Sequence, residues 1–192
     1  MPNLYIISGC NGSGKTTASY SLLPQMLGCH EFVNSDEFAK SISPFDPSSA
    51  AVGASRFMLQ KIGYMLGNRS NFGIETTLAT RSLTGIIQQA RELGYSITII
   101  YLWLESPDLA IKRIRSRVQS GGHNISDETV LRRYSTGLQY FFDTYMHLAD
   151  RWVLADNTQT PFSVVAEGSK DMEIIRNKPK YEHILSLLND KE

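Results

Sequence analysis

Cysteine is almost absent from this sequence: Cys10 and Cys29 are the two in 192 residues. Two thiols make no disulfide framework, and a reducing compartment is the expectation. Net charge is absent too, because nineteen Lys and Arg are matched by nineteen Asp and Glu. No overall field then draws the chain to nucleic acid or to a membrane surface, so any cationic function has to be local. Long apolar runs are also missing. The longest, residues 97–104, is interrupted by Thr98 and falls far short of a bilayer span. In place of a basic segment and an apolar leader, the N-terminus moves almost at once into the strand-like Leu4, Tyr5, Ile6 and Ile7, and a cytoplasmic location is expected. No repeat, low-complexity tract or linker breaks the chain, and no His or Cys residues stand at metal-ligand spacing. With 42% hydrophobic residues, a chain of this length can bury one core, so residues 1–192 are expected to form a single domain.

Directly behind the first apolar run stands Gly9-Cys10-Asn11-Gly12-Ser13-Gly14-Lys15-Thr16. It fits G-x-x-x-x-G-K-[ST] at every fixed position. Such a loop cradles phosphates because its glycines let successive N–H groups turn inward, while the lysine reaches the terminal phosphates and the hydroxyl ligates Mg²⁺. Gly9, Asn11, Gly12, Ser13, Gly14, Lys15, Thr16 and Thr17 are therefore the expected nucleotide-binding residues, with Thr16 on the metal. A helix that starts within the loop adds the positive end of its dipole.

Strand and helix patterns alternate along the rest of the chain. Strands are expected at 3–8, 31–34, 71–75, 96–104, 151–155 and 162–166. Helices are expected from the loop to about Leu23, where Pro24 interrupts, and then at 48–66, 81–93, 107–119, 126–149 and 181–188. Gly94 reads as a left-handed stop, Pro107 as a first helical residue and Ser126 as an N-cap. Alternation of this kind predicts an α/β fold with a parallel sheet covered by helices on both faces. Gly121 and Gly122 break the pattern between two helices, and residues 117–127 are expected to form a small lid.

Phosphoryl transfer also needs cations on the moving phosphoryl group and a carboxylate or other base at the attacking oxygen. Asp36 lies just past strand two, at the sheet edge where α/β folds bind ligands. There it can take a proton from a substrate hydroxyl; the purely structural alternative makes it the cap of a helix starting at Glu37. Asn34 beside it can hydrogen-bond substrate or satisfy turn backbone. Glu75, followed by Thr76, ends strand three and can hold a Mg²⁺ water or a substrate hydroxyl. Glu105 competes for the acidic role after its apolar strand. Arg113 and Arg117 stand one helical turn apart, a repulsive spacing that an anionic ligand reverses. Arg132 and Arg133 open the next helix. Arg115 points to another face, and His123 stands in the glycine turn.

Taken together, the P-loop, Asn-Ser-Asp-Glu at 34–37, Ile-Glu-Thr-Thr-Leu at 74–78, Arg-Val-Gln-Ser-Gly-Gly-His-Asn at 117–124 and Arg132-Arg133-Tyr134 resemble the zeta toxin family of P-loop kinases, in a short form, over about residues 1–168. The resemblance implies a nucleoside-monophosphate-kinase-like single-domain P-loop NTPase with sheet order 2-3-1-4-5. It implies ATP or GTP with Mg²⁺ as cofactors and, for the founding toxins, phosphate transfer to the 3′-hydroxyl of the sugar in UDP-N-acetylglucosamine. By motif position it makes Lys15 the Walker lysine, Asp36 the catalytic base, Glu75 the strand-three acid and Arg117 or Arg133 the phosphate-clamping arginines. It also implies an antitoxin protein as a candidate partner. The chain is shorter than those toxins, and its Gly-Gly-His turn departs from theirs. Two other readings therefore stay open: a kinase of another hydroxyl metabolite, nucleoside or antibiotic, and a nucleotide-gated binding module that hydrolyses slowly.

Overall fold

A computed structural model describes residues 1–119 and 124–189. Gly121, Gly122 and His123, the middle of the expected lid, lie outside the described residues. Strands β1 (Asn3–Ser8), β2 (Glu31–Val33), β3 (Phe72–Thr76), β4 (Ser96–Trp103) and β5 (Arg151–Asp156) run parallel in the order β2-β3-β1-β4-β5. The expected order is thus present. Strand alternation explains how this sheet is covered twice. Leu4 and Ile6 of β1 enter one apolar cluster and Tyr5 and Ile7 the other, and β4 divides Ile99 and Tyr101 from Ile100 and Leu102 in the same way. A period of two places neighbouring side chains on opposite faces, and apolar residues at both parities require cover on both.

The larger cluster is closed by α3 (Ala51–Gly67), α4 (Leu83–Glu92), α6 (Asp127–Tyr140) and α8 (Lys178–Asn189), through residues such as Ile62, Ile87, Leu138 and Ile184. The smaller is closed by α1 (Lys15–Ser21) with Leu22 and Leu23. A third cluster joins α5 (Pro107–Gln119) to α6 through Ala110, Ile114, Val130 and Tyr134, and it includes Cys10 of the P-loop. Between α1 and β2 the chain does not simply stop at Pro24. It widens over Leu22–Met26 into a turn closed by Leu27 N–H on the Leu22 carbonyl, 3.0 Å. Proline lacks an N–H and crowds the carbonyl four residues back, and a wider turn relieves both.

Three other features depart from the sequence expectation. A helix α2 (Ser35–Ile42) follows β2 directly. The long helix expected over 126–149 is α6, a wider turn at Phe141–Tyr145 and a short α7 (Met146–Leu148); the extra residue of that turn lets Phe141, Phe142 and Tyr145 all face the core. The closing strand expected at 162–166 is β6 (Ser163–Ser169), which pairs antiparallel with β5 and carries a further antiparallel strand, β7 (Glu173–Ile175), beyond the six expected. Residues 157–162 are too few for a crossover helix, and a short connection returns the chain antiparallel.

The approach of α6 to the sheet edge is close at Gly137, where an added Cβ would stand 2.5 Å from the Thr77 carbonyl oxygen. Replacing glycine by alanine inside a helix ordinarily stabilises by about 1 kcal/mol. Here the contact reverses the sign: Gly137→Ala is expected to lower the melting temperature by about 3–8 °C, the size of roughly 1–3 kcal/mol of overpacking in a chain of this length. A thermal melt that rises or stays level contradicts this packing.

Candidate active site

The P-loop leaves the carboxyl end of β1, whose neighbours β3 and β4 are reached by opposite connections; such a switch point is where open α/β sheets bind ligands. Gly9, Gly12 and Gly14 have φ of 136°, 80° and 84°. A Cβ on them would stand 2.3 Å from the Leu102 carbonyl oxygen, 2.6 Å from that of Ala110 and 2.5 Å from Asn157 Nδ2. Conformation favours glycine at all three positions, and backbone contact demands it again at Gly9 and Gly12. Lys15 is buried and donates to the Cys10 carbonyl at 2.8 Å, which leaves its ammonium two further donors. Ser13 Oγ is buried without a hydrogen-bond partner. That hydroxyl stands toward Gly9 and outside the cavity wall, so it packs the loop and does not face the ligand space.

Next to the loop, Thr16 and Glu75 are brought together by sheet register, because Ile7 of β1 pairs with Glu75 of β3. The Thr16 hydroxyl lies 2.9 Å from Glu75 Oε2, and Asn34 Nδ2 donates to the same oxygen at 2.8 Å. Burial pushes the Glu75 carboxyl up; the Lys15 charge and the Thr16 hydroxyl pull it back, and the charges of Asp36 and Glu37 push it further up. Thr16 and Glu75 offer two adjacent oxygens. Mg²⁺ uses few protein oxygens beside substrate phosphates and waters, so the pair fits that ion. Among the described residues, no cluster of three or more His, Cys, Asp or Glu is built to hold a metal.

Asn34 also caps α2. Its Oδ1 accepts from the backbone N–H of Asp36 at 2.9 Å and of Glu37 at 3.3 Å. Asp36 therefore is not the cap, and its exposed side chain faces the cavity. The amide of Asn34 is engaged at both ends; it lines a smaller hollow of about 300 Å³ beside Phe38 and Phe57. Thr76, expected beside substrate, instead accepts from the Leu78 N–H at 3.1 Å.

Five cationic side chains, Lys40 among them, line one space. A cavity of about 730 Å³ is lined by Lys15, Asp36, Arg113, Arg117 and Arg133 together with Asn11, Gly12, Gly14, Thr16, Thr17 and Glu75. Arg133 reaches Asn11 Oδ1 at 3.0 Å. Desolvation lowers the Arg133 guanidinium from its ordinary range, against the charge of nearby Asp36, which raises it. Arg113 donates to the Thr158 carbonyl at 2.9 Å. Arg115 points away and pairs with Asp127 at 2.5 Å in solvent. Gly9, Ser13, Asn34 and Thr76 stand outside the cavity wall, and so does Glu105.

Some residues of the site had no motif to announce them. Lys40, Ser35, Ser48 and Ser55 also line the cavity. Lys40 lies one turn beyond Asp36 on α2, a spacing that sequence could have revealed had that helix been expected. Asn157, which donates to the Ser13 carbonyl at 2.7 Å, comes from the far end of β5 and carries no local signal.

The family model described as Zeta toxin matches residues 1–160. An uncharacterised protein of Haemophilus influenzae is 30% identical over 127 residues, which cover 66% of this chain and 88% of that one. Among solved structures, a chain of the AvrRxo1-ORF1:-ORF2 complex with ATP is similar at a TM-score of 0.75 and 16% identity, covering 97% of this chain and 64% of that one. This chain thus spans less than two thirds of its length. The PezAT chromosomal toxin–antitoxin system of Streptococcus pneumoniae is similar at a TM-score of 0.67 and 16% identity, covering 99% of this chain and 87% of that one. At such identities the two structures share the fold.

The two arginine faces make a direct test. Arg133→Ala is expected to weaken ATP binding about tenfold to a hundredfold, the size of one or two charge-assisted hydrogen bonds. Arg115→Ala removes an exposed pair and should change it by less than about twofold. Calorimetry on both variants checks the assignment, and equal losses would refute it.

Proposed function

We propose that this chain, which belongs to the zeta toxin family, is a P-loop kinase that moves the γ-phosphate of ATP to a hydroxyl of a small molecule, with the 3′-hydroxyl of UDP-N-acetylglucosamine as the acceptor. The observation that carries the reading is the meeting of Lys15, Asp36, Arg117 and Arg133 around one cavity. Lys15 and the N–H groups of the loop hold the β- and γ-phosphates. Thr16 and Glu75 hold Mg²⁺, which when bound neutralises charge on the phosphates. Arg113, Arg117 and Arg133 lie where negative charge spreads over the transferring group, a fixed electrostatic stabilisation of the transition state. Asp36, exposed to the same space, takes the proton of the attacking hydroxyl. As the oxygen–phosphorus bond to the acceptor forms, the bond to the β-phosphate oxygen breaks and ADP leaves.

The cavity wall favours an acceptor that is both hydroxylated and anionic: Ser35 offers a hydroxyl group, and Lys40, paired with Glu37 at 2.7 Å, offers a cation. ATP is the nucleotide in the structure of the AvrRxo1 complex, and it is preferred here to GTP. An antitoxin protein is proposed as partner, on the likeness to the PezAT system. Among the described residues, no helix is long and apolar enough to cross a membrane.

Asp36→Asn keeps shape and loses basicity. The variant is expected to bind Mg-ATP almost normally and to transfer phosphate at least about a hundredfold more slowly, the size of lost general-base catalysis. Lys15→Ala is expected to lose transfer and to keep a cooperative melt. Labelled ATP, protein and UDP-N-acetylglucosamine followed by mass spectrometry check both. Full activity in Asp36→Asn removes the base; a labelled product from a metabolite extract but none from the sugar nucleotide replaces the acceptor and keeps the kinase.

A further inference from the structure

We infer that Lys180, on a helix beyond the residues 1–160 matched by the family model, is a positioning residue for the phosphate-binding site and acts through Asp156. The path begins in the packing of α8. Tyr181 and Ile184 are buried in the main core, and the Tyr181 hydroxyl donates to Glu173 on β7 at 2.6 Å. Docked in this way, α8 directs the Lys180 ammonium to the Asp156 carboxylate at the carboxyl end of β5. Asp156 is 6% exposed. A carboxylate so placed is costly without a cation. Hydrogen bonds from Lys180 and from Thr158 hold its carboxyl below the ordinary range, against the desolvation that pushes it up.

From Asp156 the contacts lead straight to the cavity. Its Oδ1 accepts from the Thr158 N–H at 2.9 Å, and the Thr158 carbonyl accepts from Arg113 Nη2 at 2.9 Å. Between them, the Asn157 N–H donates to the Trp103 carbonyl at 2.9 Å and its side chain donates to the Ser13 carbonyl of the P-loop at 2.7 Å. Residues 156–158 are therefore a wedge between the P-loop and Arg113, two parts that must face the same phosphates. One carboxylate sets the wedge, and the lysine of α8 fixes that carboxylate. The hairpin of β6 and β7 with α8 thus braces the nucleotide end of the cavity.

This inference rests on the reading that the cavity takes a nucleoside triphosphate, and a double-mutant cycle on ATP binding separates the two. Lys180→Met is expected to weaken ATP binding about tenfold in the otherwise unchanged protein and by less than about twofold when Asp156→Asn is already present. Lys180→Arg should restore affinity to within about threefold. Ile184→Val, a conservative change in the buried face of the same helix, is expected to lower the melting temperature and leave ATP affinity unchanged, which distinguishes positioning from general loss of stability. Should Lys180→Met fail to fold, Lys180→Gln replaces it in the cycle with an expected loss of about threefold to tenfold, again removed by Asp156→Asn. Equal losses in both backgrounds, or no loss from removing the ammonium, overturn the inference alone. Unaltered protein that binds no ATP overturns the underlying reading and the inference with it.

Discussion

The structure depends on a backbone constraint at the end of β1: a loop that turns its N–H groups inward on an anion leaves no room for side chains on its outer surface. The three glycines with positive φ each stand against a neighbouring atom at a distance no Cβ tolerates, from β4, from α5 and from the turn after β5. The loop is therefore held by three separate elements. Its geometry is supplied by the packing of the whole sheet edge, as preorganised electrostatic stabilisation demands.

A second joint follows from it. Thr16 lies in the first turn of α1, Glu75 near the end of β3 and Asn34 caps α2, and their side chains meet at the Glu75 carboxylate. One asparagine uses both ends of its amide, accepting from the helix that bears Asp36 and donating to the acid beside the P-loop. The P-loop and the helix that bears Asp36 are thereby joined by a short chain of hydrogen bonds. Opposed to this, the α5–α6 pair brings its arginines from the other side, packed through Ala110, Ile114, Val130 and Tyr134.

Much of this was legible in the sequence because it is local. The P-loop motif carries its own turn, and apolar residues at both parities in residues 4–7 and 97–104 announce strands buried on two faces. The spacing of Arg113 and Arg117 places both on one helix face, and both line the cavity. Where a pattern admitted two outcomes, only contacts chose. Asp36 and Asn34 are equally good caps on paper, and the observed cap is Asn34 because its side chain reaches both N–H groups from the end of β2. Arg132 and Arg133 are adjacent in sequence; the first is exposed and the second touches the P-loop.

By itself the sequence determined most of the elements, the phosphate loop, the parallel core and the residue types available for chemistry, since these follow from periodicity and from motifs of a few residues. Tertiary structure alone decided the partners. It set Glu75 beside Thr16 through the register of two parallel strands, and wedged residues 156–158 between the P-loop and Arg113 with Lys180 behind them. Each of these contacts joins residues far apart along the chain, and their pairing depends on how whole elements stack, which no local pattern encodes.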